Sequence, residues 1–285
     1  MSLPNFTDLV GKVAVVTGGG GILCADMARA LAEAGARVAI LDLKLESAEA
    51  VAAAIREEGG QAIAVAANVL ERASLETAAA EVLAKLGSCD ILVNGAGGNH
   101  PKGTTTKENL TLEDFQKPDA SVISFFDLDP DGIRFVFDLN FLGSLMPTQV
   151  FAKQMVGRQG CSIINISSMN AYCPLTKIPA YSAAKAAVSN FTQWLAVHFA
   201  PVGIRVNAIA PGFFVTNQNR ALLFGADGQP TARAGKILNG TPMGRFGESK
   251  ELIGSLMFLT SEEAAGFVNG VVIPVDGAFS AYSGV

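Results

Sequence analysis

The sequence predicts an α/β fold, a single-domain doubly wound parallel sheet of Rossmann type with a long insertion on the substrate side. Seven short apolar runs alternate with longer helical stretches, and each run is apolar along nearly its whole length. Such strands are typical of a parallel sheet that helices cover on both faces. A glycine-rich turn directly follows the first run, where folds of this class bind a nucleotide phosphate.

The elements follow in a regular order. Glycines end the first two predicted helices, 23–34 and 47–58, and no linker-like composition divides the chain, so residues 1–285 are expected to form one domain. Two long polar or glycine-rich segments, 99–131 and 213–246, break the rhythm, and we expect them to border the substrate site; surface decoration is the alternative. The predicted strands are 13–17, 37–41, 63–67, 91–93, 162–166, 205–210 and 271–275.

Composition excludes several classes of function. Of the 285 residues 49% are hydrophobic and 16% charged, and the net charge is −5. Without a Lys/Arg cluster a nucleic-acid partner is not expected, and without an apolar stretch of about 18 residues neither is a membrane span. The amino-terminal residues do not resemble a signal peptide, which favours the cytoplasm. Four dispersed cysteines and two histidines predict free thiols and no metal site.

The turn after the first strand is the predicted nucleotide site. Gly18 and Gly21 let the backbone approach a pyrophosphate, and Ile22, just before the following helix, is a further cofactor-binding candidate. Asp42 ends the second strand, where its carboxylate can accept hydrogen bonds from ribose hydroxyls and repel a 2′-phosphate. NAD is therefore expected rather than NADP; a helix cap is the alternative role for Asp42. Further cofactor-binding candidates at the strand ends are Asn68, Val69, Asn94, Ala96 and Gly97.

A second group of residues predicts proton chemistry. Tyr181 and Lys185 are spaced i, i+4 and share one helix face. A free tyrosine has a pKa near 10, and a lysine ammonium with a positive nicotinamide ring would lower it. Ser168 ends the preceding buried strand, and its hydroxyl can hold a substrate oxygen. We therefore predict hydride transfer between NAD(H) and a secondary alcohol or ketone.

These motifs together resemble the short-chain dehydrogenase/reductase superfamily from about Gly11 to the carboxyl terminus. The resemblance implies that Tyr181 is the acid/base and that Lys185 lowers its pKa and holds the nicotinamide ribose. It implies further that Ser168 orients the substrate and that Asn140 anchors a proton-relay water.

Residues 211–216 resemble the PGxxxT segment of the superfamily, which implies that Pro211, Phe214 and Thr216 contact the nicotinamide carboxamide. The chain also departs from the common pattern. Residues in place of family glycines are Ile22 and Cys24; Gly95 replaces an Asn, and Asn68 replaces an Asp.

A narrower resemblance is to short-chain-type fructuronate reductases (D-mannonate oxidoreductases), carried by the TGGGGILC turn, the insertion and the last seven residues. It implies reduction of D-fructuronate to D-mannonate in hexuronate catabolism. Another polyol or keto substrate, or a nucleotide-binding regulator without turnover, is the alternative. The apolar outer face of the Tyr181 helix predicts a homo-oligomer, and the resemblance to the superfamily implies a homotetramer. Candidate substrate-binding residues are His100, Lys102, Asn170 and Arg220.

Overall fold

The computed structural model describes residues 5–117, 119–216, 219–225 and 227–284. Its strands form one parallel sheet in the order β3-β2-β1-β4-β5-β6-β7. This is the Rossmann strand order with a seventh strand added at one edge, so the predicted fold class is confirmed. The strands are β1 Val13–Thr17, β2 Arg37–Asp42, β3 Gln61–Ala66, β4 Ile91–Asn94, β5 Cys161–Ile166, β6 Ile204–Pro211 and β7 Val272–Val275.

Burial explains where the sequence located the strands well and where it did not. Every residue of β1, β4, β5 and β6 is buried, and these strands lie within one or two residues of their predicted bounds. The edge strand β3 is only partly buried and begins at Gln61, two residues before its predicted start. The bounds of β3 follow from its pairing with β2, which runs from Arg37 opposite Gln61 to Asp42 opposite Ala66. They do not follow from the positions of its apolar residues.

Helices cover both faces of the sheet and enclose one apolar core on each side. The chain enters α7 at Pro179 rather than at Tyr181, because proline suits the first helical position. The helices are α1 Ile22–Glu33, α2 Leu45–Glu57, α3 Arg72–Lys85, α4 Leu112–Gln116, α5 Pro130–Phe137, α6 Gly143–Phe151, α7 Pro179–Phe199, α8 Arg220–Leu223, α9 Ala232–Asn239, α10 Ile253–Thr260 and α11 Glu262–Ala265. Within the described part of the chain, no helix has the length and hydrophobicity to cross a bilayer.

The two long polar segments contain regular structure. Segment 99–131 includes 3₁₀ turns at Pro101–Gly103 and Phe125–Asp127, and α4, where Thr111 and Asp114 form a reciprocal capping box. Segment 213–246 includes α8 and α9, which enclose a small apolar cluster of their own.

A π-helical turn, Asp138–Leu142, joins α5 to α6. Turns of this kind are rare and occur mostly at functional sites. This one places Asn140, which is fully buried, beside the loop that follows β4.

Candidate active site

The glycine turn lies at the carboxyl end of β1. Gly18 has φ +63°, and a Cβ there would come within 2.9 Å of the Ala96 backbone. The Gly21 amide donates to the Gly18 carbonyl at 3.1 Å, and Gly21 is the N-cap residue of α1, which begins at Ile22. The predicted residues therefore share one tight turn whose amides lie at a helix N-terminus, the geometry that binds a phosphate.

Asp42 lies beside this turn at the end of β2. Its Oδ2 accepts from the Gly20 amide at 3.1 Å and its Oδ1 from the Lys44 amide at 3.0 Å. The N-cap residue of α2 is Lys44 rather than Asp42, so Asp42 is not the cap of that helix. A half-buried carboxylate with four lone-pair sites can hold the turn and still accept hydrogen bonds from a ligand.

The Asn140 side chain fixes the loop after β4 through hydrogen bonds. Asn140 Nδ2 donates to the carbonyls of Gly98 and Val136, both at 2.7 Å, and its Oδ1 accepts from the Gly98 amide at 3.2 Å. A Cβ at Gly97 would lie 2.7 Å from Asn140 Oδ1 and 3.2 Å from Lys185 Nζ. The structure therefore brings Gly97, Asn140 and Lys185 into direct contact.

Ser168 and Tyr181 lie close together, and Lys185 lies beside the Tyr181 ring. A hydrogen bond from the Ser168 side chain favours the tyrosinate, but burial of the phenol is the larger effect and raises the pKa of Tyr181 above its usual 10. The Lys185 ammonium lies 5.6 Å from the centre of the Tyr181 ring and donates to the Ile166 carbonyl at 2.7 Å.

The expected lowering of the Tyr181 pKa by Lys185 is not seen in the protein alone. Burial lowers the pKa of Lys185 to about 8, so its ammonium is still mostly protonated at neutral pH but loses its proton more readily than an exposed lysine. Burial raises the pKa of the nearby Cys24 thiol to about 12, so this thiol is uncharged at neutral pH. In the protein alone, a protonated phenol therefore stands beside a lysine of lowered pKa.

The short chain dehydrogenase family model matches residues 12–223 of this chain. An uncharacterised oxidoreductase of Haemophilus influenzae is 59% identical over 285 residues, covering 100% of this chain and 99% of the relative. An uncharacterised oxidoreductase of Bacillus subtilis, UxuB, is 52% identical over 283 residues, covering 99% and 100%. A provisionally named D-mannonate oxidoreductase from Haemophilus, solved with bound NAD, superimposes with a TM-score of 0.93 at 58% identity, covering 99% and 100%.

The chain belongs to the short-chain dehydrogenase family. It is an oxidoreductase of that family, which confirms the resemblance and the enzyme class inferred from the motifs. The four residues that the motifs assigned to proton chemistry, Asn140, Ser168, Tyr181 and Lys185, stand together at the carboxyl edge of the sheet of this dehydrogenase.

The side chain of Asn94 does not make the cofactor contact that the motifs predicted for this residue. Asn94 is 1% exposed, and its Nδ2 donates to Thr148 Oγ1 at 2.9 Å and to Asn165 Oδ1 at 2.8 Å. These bonds direct the amide into the core between β4, β5 and α6. The side chain of Asn94 therefore anchors the end of β4 in the core and does not reach the cleft.

The other cofactor candidates remain at the cleft edge with partners of their own. Asn68 Oδ1 accepts from the Leu70 amide at 3.0 Å, and its Nδ2 donates to Glu71 at 2.8 Å. The Phe214 ring is buried against Gly247, so only the backbone of Phe214 can face a ligand. Val69 is buried, Pro211 ends β6, and Thr216 is half-buried.

Three of the four substrate candidates have partners away from the reacting groups. Lys102 pairs with Asp129 at 3.0 Å and is 63% exposed, while His100 Nδ1 accepts from the Lys102 amide at 3.2 Å. Arg220 is exposed and lies over the Phe224 ring. Asn170 differs, because it is 4% exposed, its amide N–H donates to Ser168 Oγ, and its buried Oδ1 has no partner among the described residues.

The motif analysis missed Thr17, whose hydroxyl organises the loop after β4. Thr17 Oγ1 accepts from the amides of Gly95 at 3.1 Å and Ala96 at 3.3 Å. Its place immediately before the first glycine of the turn is the signal that could have identified it.

Two departures from the family pattern fit each other. A Cβ at Gly95 would overlap with Cys24 Sγ and approach the Thr17 carbonyl to 2.8 Å. Cys24, which stands in place of a glycine of the common motif, therefore fills the volume that Gly95, in place of an asparagine of that motif, leaves empty. The variant turn keeps its close packing because the two positions differ from the pattern together.

We predict that Gly95→Ala destabilises the protein by about 1–3 kcal/mol, because the added methyl group has no free space. Chemical denaturation of Gly95→Ala, Cys24→Ala and the double variant measures the coupling, and we expect Cys24→Ala to relieve part of the loss. Gly254→Ala is the control, since a Cβ there meets nothing within 4 Å. Strictly additive effects of Gly95→Ala and Cys24→Ala would contradict the paired-packing account.

Proposed function

We propose that this chain is an NAD(H)-dependent oxidoreductase that interconverts the ketone and secondary alcohol of a sugar acid, reducing D-fructuronate to D-mannonate. The observation that carries the proposal is the meeting of Ser168, Tyr181, Lys185 and Asn140 beside a phosphate-binding turn. The NAD-bound Haemophilus structure at 58% identity supports both the cofactor and the substrate class.

When bound, NADH supplies the hydride that reduces the substrate carbonyl carbon. The Ser168 hydroxyl holds the carbonyl oxygen, and the Tyr181 hydroxyl donates the proton that this oxygen takes up. The raised pKa of Tyr181 keeps the phenol protonated at neutral pH, as reduction requires. Lys185, with a pKa of about 8, can return a proton towards Tyr181 from the polar surroundings of Asn140.

The residues around the turn fit NAD in a consistent order. We assign the pyrophosphate to the backbone of Gly18, Gly21 and Ile22, and the adenosine ribose hydroxyls to Asp42. The backbones of Ala96 and Gly97 lie beside Lys185 and would border the nicotinamide ribose. We assign the adenine edge to Asn68 and Val69 and the carboxamide to Pro211, Phe214 and Thr216.

The substrate side of the proposal rests on Asn170. Its unpartnered buried Oδ1 follows Ser168 by two residues, and a 180° rotation of the amide exchanges Oδ1 and Nδ2. We propose that this amide binds a substrate hydroxyl group.

We also propose that the chain acts as a single domain in a cytoplasmic homotetramer. On the outer face of α7, Trp194 is 56% and Val197 78% exposed, and Trp194 stacks on His198 with ring centres 4.6 Å apart. An apolar face of this kind on a long helix favours association with a second copy.

We predict that Tyr181→Phe lowers kcat by about 10²–10⁴-fold, because the proton donor is lost, while the Kd for NADH changes little. Steady-state kinetics and NADH fluorescence titration measure the two effects. Tyr172→Phe is the matched control, since Tyr172 only donates to the Val272 carbonyl at 3.2 Å. Near-normal turnover by Tyr181→Phe would contradict the proposed chemistry.

We expect NADH oxidation to be fastest with fructuronate in a panel that also contains tagaturonate, 5-ketogluconate, fructose and acetoacetyl esters. Turnover of another ketone alone would keep the proton chemistry and replace the substrate. Tight NADH binding without turnover of any ketone would favour the regulator that the sequence left as an alternative.

We predict that Asp42→Asn lowers the preference for NAD over NADP by tenfold or more. The Asn side chain keeps one acceptor oxygen and therefore only one of the two hydrogen bonds from the Gly20 and Lys44 amides, and the negative charge that repels a 2′-phosphate is gone. The ratio of kcat/KM values for NADH and NADPH measures the change. An unaltered ratio would show that Asp42 does not select the cofactor.

A further inference from the structure

Two contacts join three chain segments, of which one leads directly into the helix of Tyr181. The Thr105 amide, in segment 99–131, donates to the Lys177 carbonyl at 2.8 Å, just before α7. The Glu108 carboxylate of the same segment accepts from Lys236 Nζ of α9 at 2.9 and 3.0 Å. We call these four residues the rim junction.

The rim junction carries an excess of positive charge. Glu108 is the single acid of the junction, and its pKa is lowered first by Lys236 and then by the more distant Lys177 and Arg233. Lys236 is engaged by both oxygens of Glu108. Lys177 is half-buried and forms no salt bridge with any residue that the structure describes, so the junction can accept an anionic group.

Lys177 is the residue of the rim junction nearest to Tyr181 along the chain. It lies four residues before Tyr181, so the two Cα atoms are at most about 14 Å apart. Its φ of +73° is uncommon for a residue with a side chain, and such conformations concentrate at functional sites. That conformation belongs to the turn whose carbonyl accepts from Thr105.

We infer that Lys177 receives the carboxylate of the substrate and thereby selects acids over neutral ketoses. The inference rests on the proposed function and deepens it. The other candidates are less suited, since Lys102 is paired with Asp129 and Arg220 is exposed over Phe224. A half-buried lysine without an ion-pair partner among the described residues, four residues before Tyr181, can form a charge-assisted hydrogen bond with a carboxylate.

The test measures binding without turnover. D-gluconate and D-glucitol have the same hydroxylated chain and differ in whether one end is a carboxylate or an alcohol. Their affinities for the enzyme–NADH complex are measured through nucleotide fluorescence for the wild type, Lys177→Gln and Lys177→Arg. We expect Lys177→Gln to raise the Kd for gluconate about tenfold or more and to leave the Kd for glucitol unchanged. Lys177→Arg should keep most of the discrimination because the charge remains.

Two controls separate charge recognition from damage to the fold. Gln keeps an unbranched Cβ, so the left-handed backbone is no less favourable than with Lys, and the melting temperature should match the wild type. Lys153→Gln removes an exposed lysine in the 3₁₀ turn after α6 and should alter neither affinity. Equal weakening of both ligands, no change for gluconate, or a wild type that does not distinguish them would each overturn the inference. The ketone panel tests the proposed function separately, so either can fail without the other.

Discussion

The site depends on close backbone contact at the carboxyl ends of β1 and β4, where there is no room for side chains. A Cβ at Gly18 would approach Ala96 to 2.9 Å, one at Gly97 would approach Asn140 Oδ1 to 2.7 Å, and one at Gly95 would overlap with Cys24. The Thr17 hydroxyl bonds the same loop from the side. Since interiors are close-packed, an added methyl group here must displace backbone, and the loop that borders Lys185 would move with it.

Burial beside these strand ends also shifts the pKa values of Tyr181 and Lys185. A partly buried phenol and a buried ammonium shift towards their neutral forms, so the pKa of Tyr181 rises and that of Lys185 falls to about 8. Lys185 is therefore the stronger acid of the pair. Proton transfer from its ammonium to a Tyr181 phenolate is favourable. A positive nicotinamide ring would add the charge that the protein alone does not supply and would favour the phenolate needed for alcohol oxidation.

The sequence predicted the fold, and it predicted that Tyr181 and Lys185 lie together, because both depend on local patterns. Fully buried strands are continuous apolar runs, and the spacing of Tyr181 and Lys185 on one helix face holds wherever that helix packs. The patterns could not show the direction of a side chain at a strand end, so Asn94 was assigned to the cleft although its amide bonds Thr148 and Asn165. They also could not pair Cys24 with Gly95, since 70 residues of chain separate the two positions. The same limit hid the contact of Glu108 with Lys236.

The two halves of the cleft are therefore built by different physics. The cofactor half consists of buried backbone contacts from the central strands, which tolerate few substitutions. The proposed substrate half consists of side chains from three separate segments, joined by contacts such as the exposed pair Glu108–Lys236. Exposed ion pairs stabilise little, because water and salt screen them and long side chains lose freedom on pairing. The charges of such a rim can change without disturbing the backbone contacts of the cofactor half. This separation would let one fold keep its hydride chemistry while the proposed rim selects the substrate.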